Sequence, residues 1–210
     1  SVNVTAKGDT CGASFTNADP EIIADFTRVA GQLGFKVRHI DKCSYGLSCA
    51  SGRDGYTPRH WIRERGVMGS SYTKQVPAWV FTAPLRQIAI YLGTYFACDG
   101  SAESLGKNGY RLTYNSVSWE ILEAVQHLLL RFGIHSSLRL KNGTYKGRNH
   151  VSFRTTIYGE HNIALFRKHI PVTGKRGHLL QASTPRFCEF PVKWFGDEVQ
   201  KVSQIGKLAC

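Results

Sequence analysis

Residues 15–35, FTNADPEIIADFTRVAGQLGF, lie over residues 114–134, YNSVSWEILEAVQHLLLRFGI, without a gap at a constant offset of 99. Phe15 falls on Tyr114, Glu21 on Glu120, Ile22 on Ile121, Leu33 on Phe132 and Gly34 on Gly133. Each copy predicts a helix. Asp19 or Ser118 supplies an oxygen to cap the first turn, because the leading N–H groups of a helix lack internal partners. Apolar residues then recur at helical spacing: Ile22, Ile23, Phe26, Val29, Ala30 and Leu33 in one copy, Ile121, Leu122, Val125, Leu128, Leu129 and Phe132 in the other. Gly34 and Gly133 stand where a glycine ends a helix. A repeat at fixed offset predicts two copies of one supersecondary unit.

The segments after the two helices, FKVRHI and IHSSLRLK, read as strands with cationic residues on one face. In the second, Ile134, Ser136, Leu138 and Leu140 alternate with His135, Ser137, Arg139 and Lys141. KNGTYKGRNH is expected to be the turn into VSFRTTI, where Val151, Phe153 and Ile157 point one way and Ser152, Arg154 and Thr156 the other. The expected fold is therefore α+β and pseudo-twofold, with two antiparallel sheets whose polar, basic faces lie side by side and suit a duplex.

Charge points to the same partner. Lysine and arginine total 27 against 15 acidic residues, a net charge of +12 spread along the chain, which is the electrostatic footprint of a polyanion binder. With 210 residues and 42% hydrophobic content, a packed core is expected. No apolar run is long enough to span a bilayer, and Ser1 begins neither a signal peptide nor an evident transit sequence, so a cytoplasmic or nuclear location is expected. Cys11, Cys43, Cys49, Cys98, Cys188 and Cys210 lack paired CxxC spacing and are read as free thiols.

Residues 84–99 predict a helix that is apolar on every side, hence buried. Gly93 and Ala97 leave a smooth strip along it where another backbone can come close. The helix ends on Asp99, although a helix C-terminus carries partial negative charge and disfavours a carboxylate by a few tenths to about 1 kcal/mol. Either a cation sits there, or Asp99 is a surface residue before a capping glycine.

LGTYFACDG, residues 92–100, resembles the nine-residue signature of the LAGLIDADG homing endonucleases, and KQVPAWVFTAPLRQIAIYLGTYFACDGS, residues 74–101, resembles the second-motif region of the intein-borne members. The 15–35 and 114–134 repeat resembles the helix that follows each signature. VKWFGDEVQKVSQIGKL, residues 192–208, resembles the strand where an intein's splicing fold resumes. The resemblance implies two αββαββα-like repeats with saddle-shaped sheets: residues 1–83 as a first repeat lacking its signature helix, 84–187 as a second, and 188–210 as a C-terminal segment leading back to a splicing domain. It also implies a site-specific endonuclease that hydrolyses duplex DNA at a long recognition site. Asp99 and the Gly100 carbonyl would hold Mg2+, with Mn2+ as a substitute, and Lys74 and Lys175, the latter with Arg176 beside it, would be the lysines near the two centres.

Subtracting the repeat offset from Asp99 leads to the position before Ser1, so the first acidic helix is expected from a second chain, from a homodimer, or from sequence beyond this chain. DNA contacts are expected from Lys36, Arg38, Arg139, Lys141, Lys146, Arg148, Arg154 and Arg176. The rival reading is a cleavage-deficient DNA- or RNA-binding module on the same scaffold, maturase-like or transcription-factor-like.

Overall fold

The computed structural model describes residues 2–4, 13–49, 57–104, 110–145 and 148–182. Two four-stranded antiparallel sheets carry the fold, and their strand orders are equivalent. In the first, β1 (Val2–Val4), β2 (Ala13–Thr16), β3 (Phe35–Asp41) and β4 (Ser44–Cys49) run in the order β1-β2-β4-β3. In the second, β5 (Gly100–Ser104), β6 (Tyr110–Ser116), β7 (Ser137–Tyr145) and β8 (Arg148–Tyr158) run β5-β6-β8-β7. Helix α1 (Pro20–Gln32) connects β2 to β3, as α5 (Trp119–Leu130) connects β6 to β7. The mixed architecture and the twofold repetition expected from the sequence are both present.

The caps are those expected. The Glu21 N–H donates to the Asp19 side chain at 3.0 Å, and the Ile121 N–H to the Ser118 hydroxyl at 3.2 Å. Gly34 and Gly133 follow the two helices with φ of 79° and 71°. The expected turn at 141–150 is mostly strand instead, because β7 continues to Tyr145 and β8 begins at Arg148.

Helix α2 (Pro58–Glu64) and the short α3 (Ala78–Thr82) lead into α4 (Leu85–Asp99). Buried Ile88, Leu92 and Phe96 line one side of α4 and pack on Leu112, Tyr114, Leu122 and Ile157 of the second sheet and α5. The Phe96 ring meets Tyr114 edge-on at 5.2 Å and Phe166 of α6 (Glu160–His169) at 5.2 Å. The Tyr114 hydroxyl donates to the Leu92 carbonyl at 3.0 Å, so the one polar atom of a fully buried ring is satisfied.

One expectation for α4 needs correction. The helix is not buried on every side: Leu85 and Ile90 are each 49% exposed, because α5 and α6 cover only one stripe of its N-terminal half. The close backbone approach expected at the Gly93/Ala97 strip is present. A Cβ on Gly93 would lie 1.8 Å from the Pro171 carbonyl oxygen, so the strand-like link after α6 fills that notch, and Ala97 packs on Phe15 and Ile22 of the first repeat. Gly100 is required for a related reason: its φ of −80° suits any residue, but a Cβ there would meet the Phe96 ring at 2.4 Å.

Helix α7 (Lys175–Ala182) closes the described chain. Its N-terminus faces that of α1, where Asp19 accepts from the Lys175 N–H at 2.7 Å while also capping α1. Glu21 meets His178 Nε2 at 2.6 Å. Residues 188–210, with the expected splicing-domain strand, lie outside the described residues. Cys43, Cys49 and Cys98 are free thiols, and Cys11, Cys188 and Cys210 lie outside the described residues.

Candidate nucleic-acid interface

Strand register decides which side chains share a face, since alternate residues point to opposite sides. In the second sheet the helix-covered side carries Leu112, Tyr114, Leu138, Thr155 and Ile157, and the other side is polar. That polar side carries Arg139 directly opposite Arg154, Lys141 opposite Ser152, Glu103 opposite Arg111, and Asn115 also opposite Arg154. In the first sheet the corresponding side carries Ser14, Thr16, Lys36, Arg38, Ser44 and Ser48. Lys36, Arg38, Arg139 and Lys141 are exposed, and Arg154 is half-buried. Arg148 begins β8, paired with Tyr145, and Lys146 lies outside the described residues.

A hydrogen-bonded network underlies the second polar face. Arg111 donates to Glu103 through Nε at 2.8 Å, and this contact holds the Glu103 carboxyl below its usual range. The Arg154 Nε donates to Asn115 Oδ1 at 3.1 Å, and Asn115 Nδ2 donates to the Thr113 hydroxyl at 3.3 Å. Ser101 and Thr113 share a 2.7 Å hydroxyl contact. Among the described residues the Arg154 guanidinium is thus anchored through Nε. Glu103, Arg111, Thr113 and Asn115 were absent from the sequence-derived set. The signal was present in β6, where Arg111, Thr113 and Asn115 alternate with Leu112 and Tyr114.

Asp99 is exposed at the last position of α4, and its side chain makes no hydrogen bond or ion pair among the described residues. Its neighbours respond to it. The Tyr95 phenol is pushed well up, by burial first and then by the Asp99 charge, and the Cys98 thiol is pushed up by burial first. The cation at this helix end is a guanidinium: Arg176 Nη1 donates to the Ala97 carbonyl, as a cation at a helix C-terminus should. Lys175, next to it, starts α7 and donates its own N–H to Asp19. Lys74 lies elsewhere, in the loop before α3, where its carbonyl accepts from the Ser118 hydroxyl at the start of α5 (3.0 Å). The two lysines paired by spacing therefore sit on unlike elements, a loop and a helix.

As metal donors, Asp99 and the Gly100 carbonyl make one carboxylate and one main-chain oxygen. No group of three or more His, Cys, Asp or Glu side chains able to hold an ion occurs among the described residues. The pair fits an ion completed by waters and a substrate phosphate, the usual habit of Mg2+, rather than a cage built by the protein alone. Among the described residues no helix is long and apolar enough to cross a membrane.

The chain is 33% identical over 126 residues to the replicative DNA helicase DnaB of Rhodothermus marinus, covering 59% of this chain and 13% of that protein. It is 27% identical over 186 residues to protein RecA of Mycobacterium tuberculosis, covering 82% of this chain and 23% of that one. It therefore spans less than a quarter of either relative. Among solved structures, the N-terminal LAGLIDADG domain of DUF199/WhiA superposes with a TM-score of 0.49 at 12% identity, over 84% of this chain and 79% of that one. Residues 86–171, from α4 through α6, match the family model of the LAGLIDADG-like domain.

Proposed function

We propose that this chain is a duplex-DNA-binding module that grips DNA with the polar faces of its two sheets. One observation carries the reading: Arg139 and Arg154 stand directly opposite each other on adjacent strands. Like charges in that position destabilise a sheet, and a polyanion lying across both removes the repulsion. The net charge of +12 and the basic residues of the first sheet point the same way. DnaB and RecA bear different names, yet each contains a segment like this chain in a small part of its length. That pattern supports a module inserted into different hosts, as the intein-borne resemblance implies. The test is equilibrium binding to duplex DNA at several salt concentrations. The expected plot of log K against log salt falls with a slope of several units, at about 0.9 per phosphate neutralised, and a flat plot contradicts the proposal.

A second reading, metal-dependent cleavage, is favoured by Asp99, an exposed carboxylate with no hydrogen bond or ion pair among the described residues, at the end of the signature-like helix. In that reading Asp99 and the Gly100 carbonyl hold Mg2+ or Mn2+ against a scissile phosphate, and Lys74 and Lys175 steady charge near it. The metal would supply Lewis-acid stabilisation of the phosphate. Nicking assays on a strand-labelled duplex separate the readings. Asp99→Asn abolishes cutting of one strand if Asp99 holds the metal, and cutting at the parental rate contradicts the role.

A further inference from the structure

Between the N-terminal half of α4 and the C-terminal ends of α5 and α6 runs an open groove of about 690 Å³. Leu85 and Ile90 of α4, Phe132 after α5 and Pro171 after α6 make its apolar walls, and the two α4 residues keep half their surface exposed. Arg86 and Arg131 stand at the same groove, with His169 beside the Phe132 ring at 5.9 Å. Arg131 donates to the Phe81 carbonyl at 2.7 Å, which fixes its guanidinium there. No carboxylate among the described residues lines the groove. An apolar cleft edged by cations suits a segment that carries large apolar side chains and a carboxylate.

The chain supplies such a segment just past α7. Residues 183–210 lie outside the described residues, and within them residues 185–191 read PRFCEFP. Glu189 is the first carboxylate after Glu160, and Phe187 and Phe190 are the first aromatic residues after Phe166. Proline fixes its own backbone angle and biases the residue before it towards extended chain, so Pro185 and Pro191 favour a polyproline-like course. Three residues make one turn of that helix, which places Phe187 and Phe190 on one side and Glu189 on another. The reach is short. A Cβ on Gly177 would lie 2.0 Å from the Val172 carbonyl oxygen, so α7 touches the link that contains Pro171. From Gly177 to the end of α7 at Ala182 is about 8 Å of helix. From Ala182 to Phe190 the chain spans about 27 Å at full extension.

We propose that residues 185–191 dock back into this groove of their own chain, with Phe187 and Phe190 against Leu85, Ile90 and Phe132, and with Glu189 facing Arg86 and Arg131. The docking is independent of DNA binding, because the groove belongs to the helices and not to the polar sheet faces. Weak intrinsic affinity is sufficient, since a short tether holds the segment at an effective concentration in the millimolar range.

Cys188, between Phe187 and Glu189, is a thiol already in place for the test. Ile90→Cys adds a second thiol to the groove of the full chain, and Lys141→Cys adds one to the polar sheet face as a control. Diamide oxidises neighbouring thiol pairs to disulfides, which peptide mapping assigns. The expected product is a disulfide within one chain between Cys188 and the groove thiol, formed about ten-fold faster than with the sheet thiol. Phe187→Ser with Phe190→Ser, or Glu189→Lys at low salt, should slow it several-fold. Equal rates at the two sites, or a groove rate untouched by either change, overturn the docking. A disulfide formed only between two chains overturns it too, and assigns the groove to a second copy. Hydrogen exchange supplies a readout without added thiols: Phe187→Ser with Phe190→Ser should speed exchange of residues 88–90 several-fold relative to the parental chain. Identical exchange in the two chains overturns the proposal.

Discussion

The second repeat packs around its own core, whereas the first leans on the second. Leu92, Phe96, Tyr114, Leu122 and Phe166 are fully buried in one cluster built from α4, α5, α6 and the second sheet. The first repeat gathers Phe15 and Ile22 around Ala97, a residue of α4, with Phe26, Cys98 and Val172 alongside. Its helix α1 shares its N-terminal cap with α7 through Asp19. One copy of a duplicated unit thus contributes its polar face while drawing packing surface from the other. The reason lies in α4: its stripe of Ile88, Leu92 and Phe96 serves the second core, and Ala97 at its end is small enough for Phe15 and Ile22 to come close.

This asymmetry can be broken at the cores first. Phe96→Ala should cost about 3–5 kcal/mol, the range for a buried aromatic, and should raise hydrogen exchange in both hairpins. Phe15→Ala should raise exchange in β3–β4 and leave β7–β8 protected. Equal loss of protection in both hairpins under Phe15→Ala would mean that the repeats stand or fall together.

A smaller effect is expected at the junction of α1 and α7. Asp19→Ala removes a carboxylate whose two oxygens accept from the Glu21 and Lys175 N–H groups, one each, and should cost about 1–2 kcal/mol of stability. The Lys175 N–H is the main cause that holds the Asp19 carboxyl below its ordinary value of 3.8. A lowered carboxyl contributes stability above that value and loses it as pH falls through the folded one. Thermal melts of the parental chain should therefore lose a contribution on the acid side that Asp19→Ala lacks.

The smallest effect is that of His178. Its imidazole is raised above 6.5, chiefly by the hydrogen bond with Glu21, with Asp19 also favouring the charged form. A raised base contributes fully below 6.5 and loses the contribution as pH rises through its folded value. Docking of α7 on α1 should weaken above that point, and His178→Gln should flatten this limb. Hydrogen exchange at the first turn of α1, measured across the range, checks it. Identical alkaline limbs in the parental and His178→Gln chains would remove the contact from the account.

Much of this was legible in the sequence because periodicity survives locally. The offset of 99, the Asp19 and Ser118 caps, and the alternation of Arg139 and Lys141 with Leu138 and Leu140 all follow from neighbouring residues. What was not legible depends on distant chain. Pro171 fills the notch at Gly93 from 78 positions away, and Arg176 answers the helix end at Ala97 from 79. The extended hairpin was read as a turn because Asn142, Gly143 and Gly147 carry turn chemistry, yet cross-strand pairing continues past Gly143 to Tyr145. Glu103 became part of the polar face only when β5 was paired with β6. Asp99 was singled out correctly as a residue at a helix end, but its spacing said nothing of the guanidinium beside it.

The central claim is that the sheet faces bind duplex DNA, and Arg139→Ala tests it most directly. Arg139 is exposed, and the change also relieves its repulsion with Arg154, so stability should shift by under about 0.5 kcal/mol in either direction. Binding to duplex DNA, followed by titration at several salt concentrations with melting measured in parallel, should weaken several-fold, with the salt slope falling by about 0.9. Parental affinity and an unchanged slope, with melting also unchanged, would show that this face is only solvated and would contradict the account.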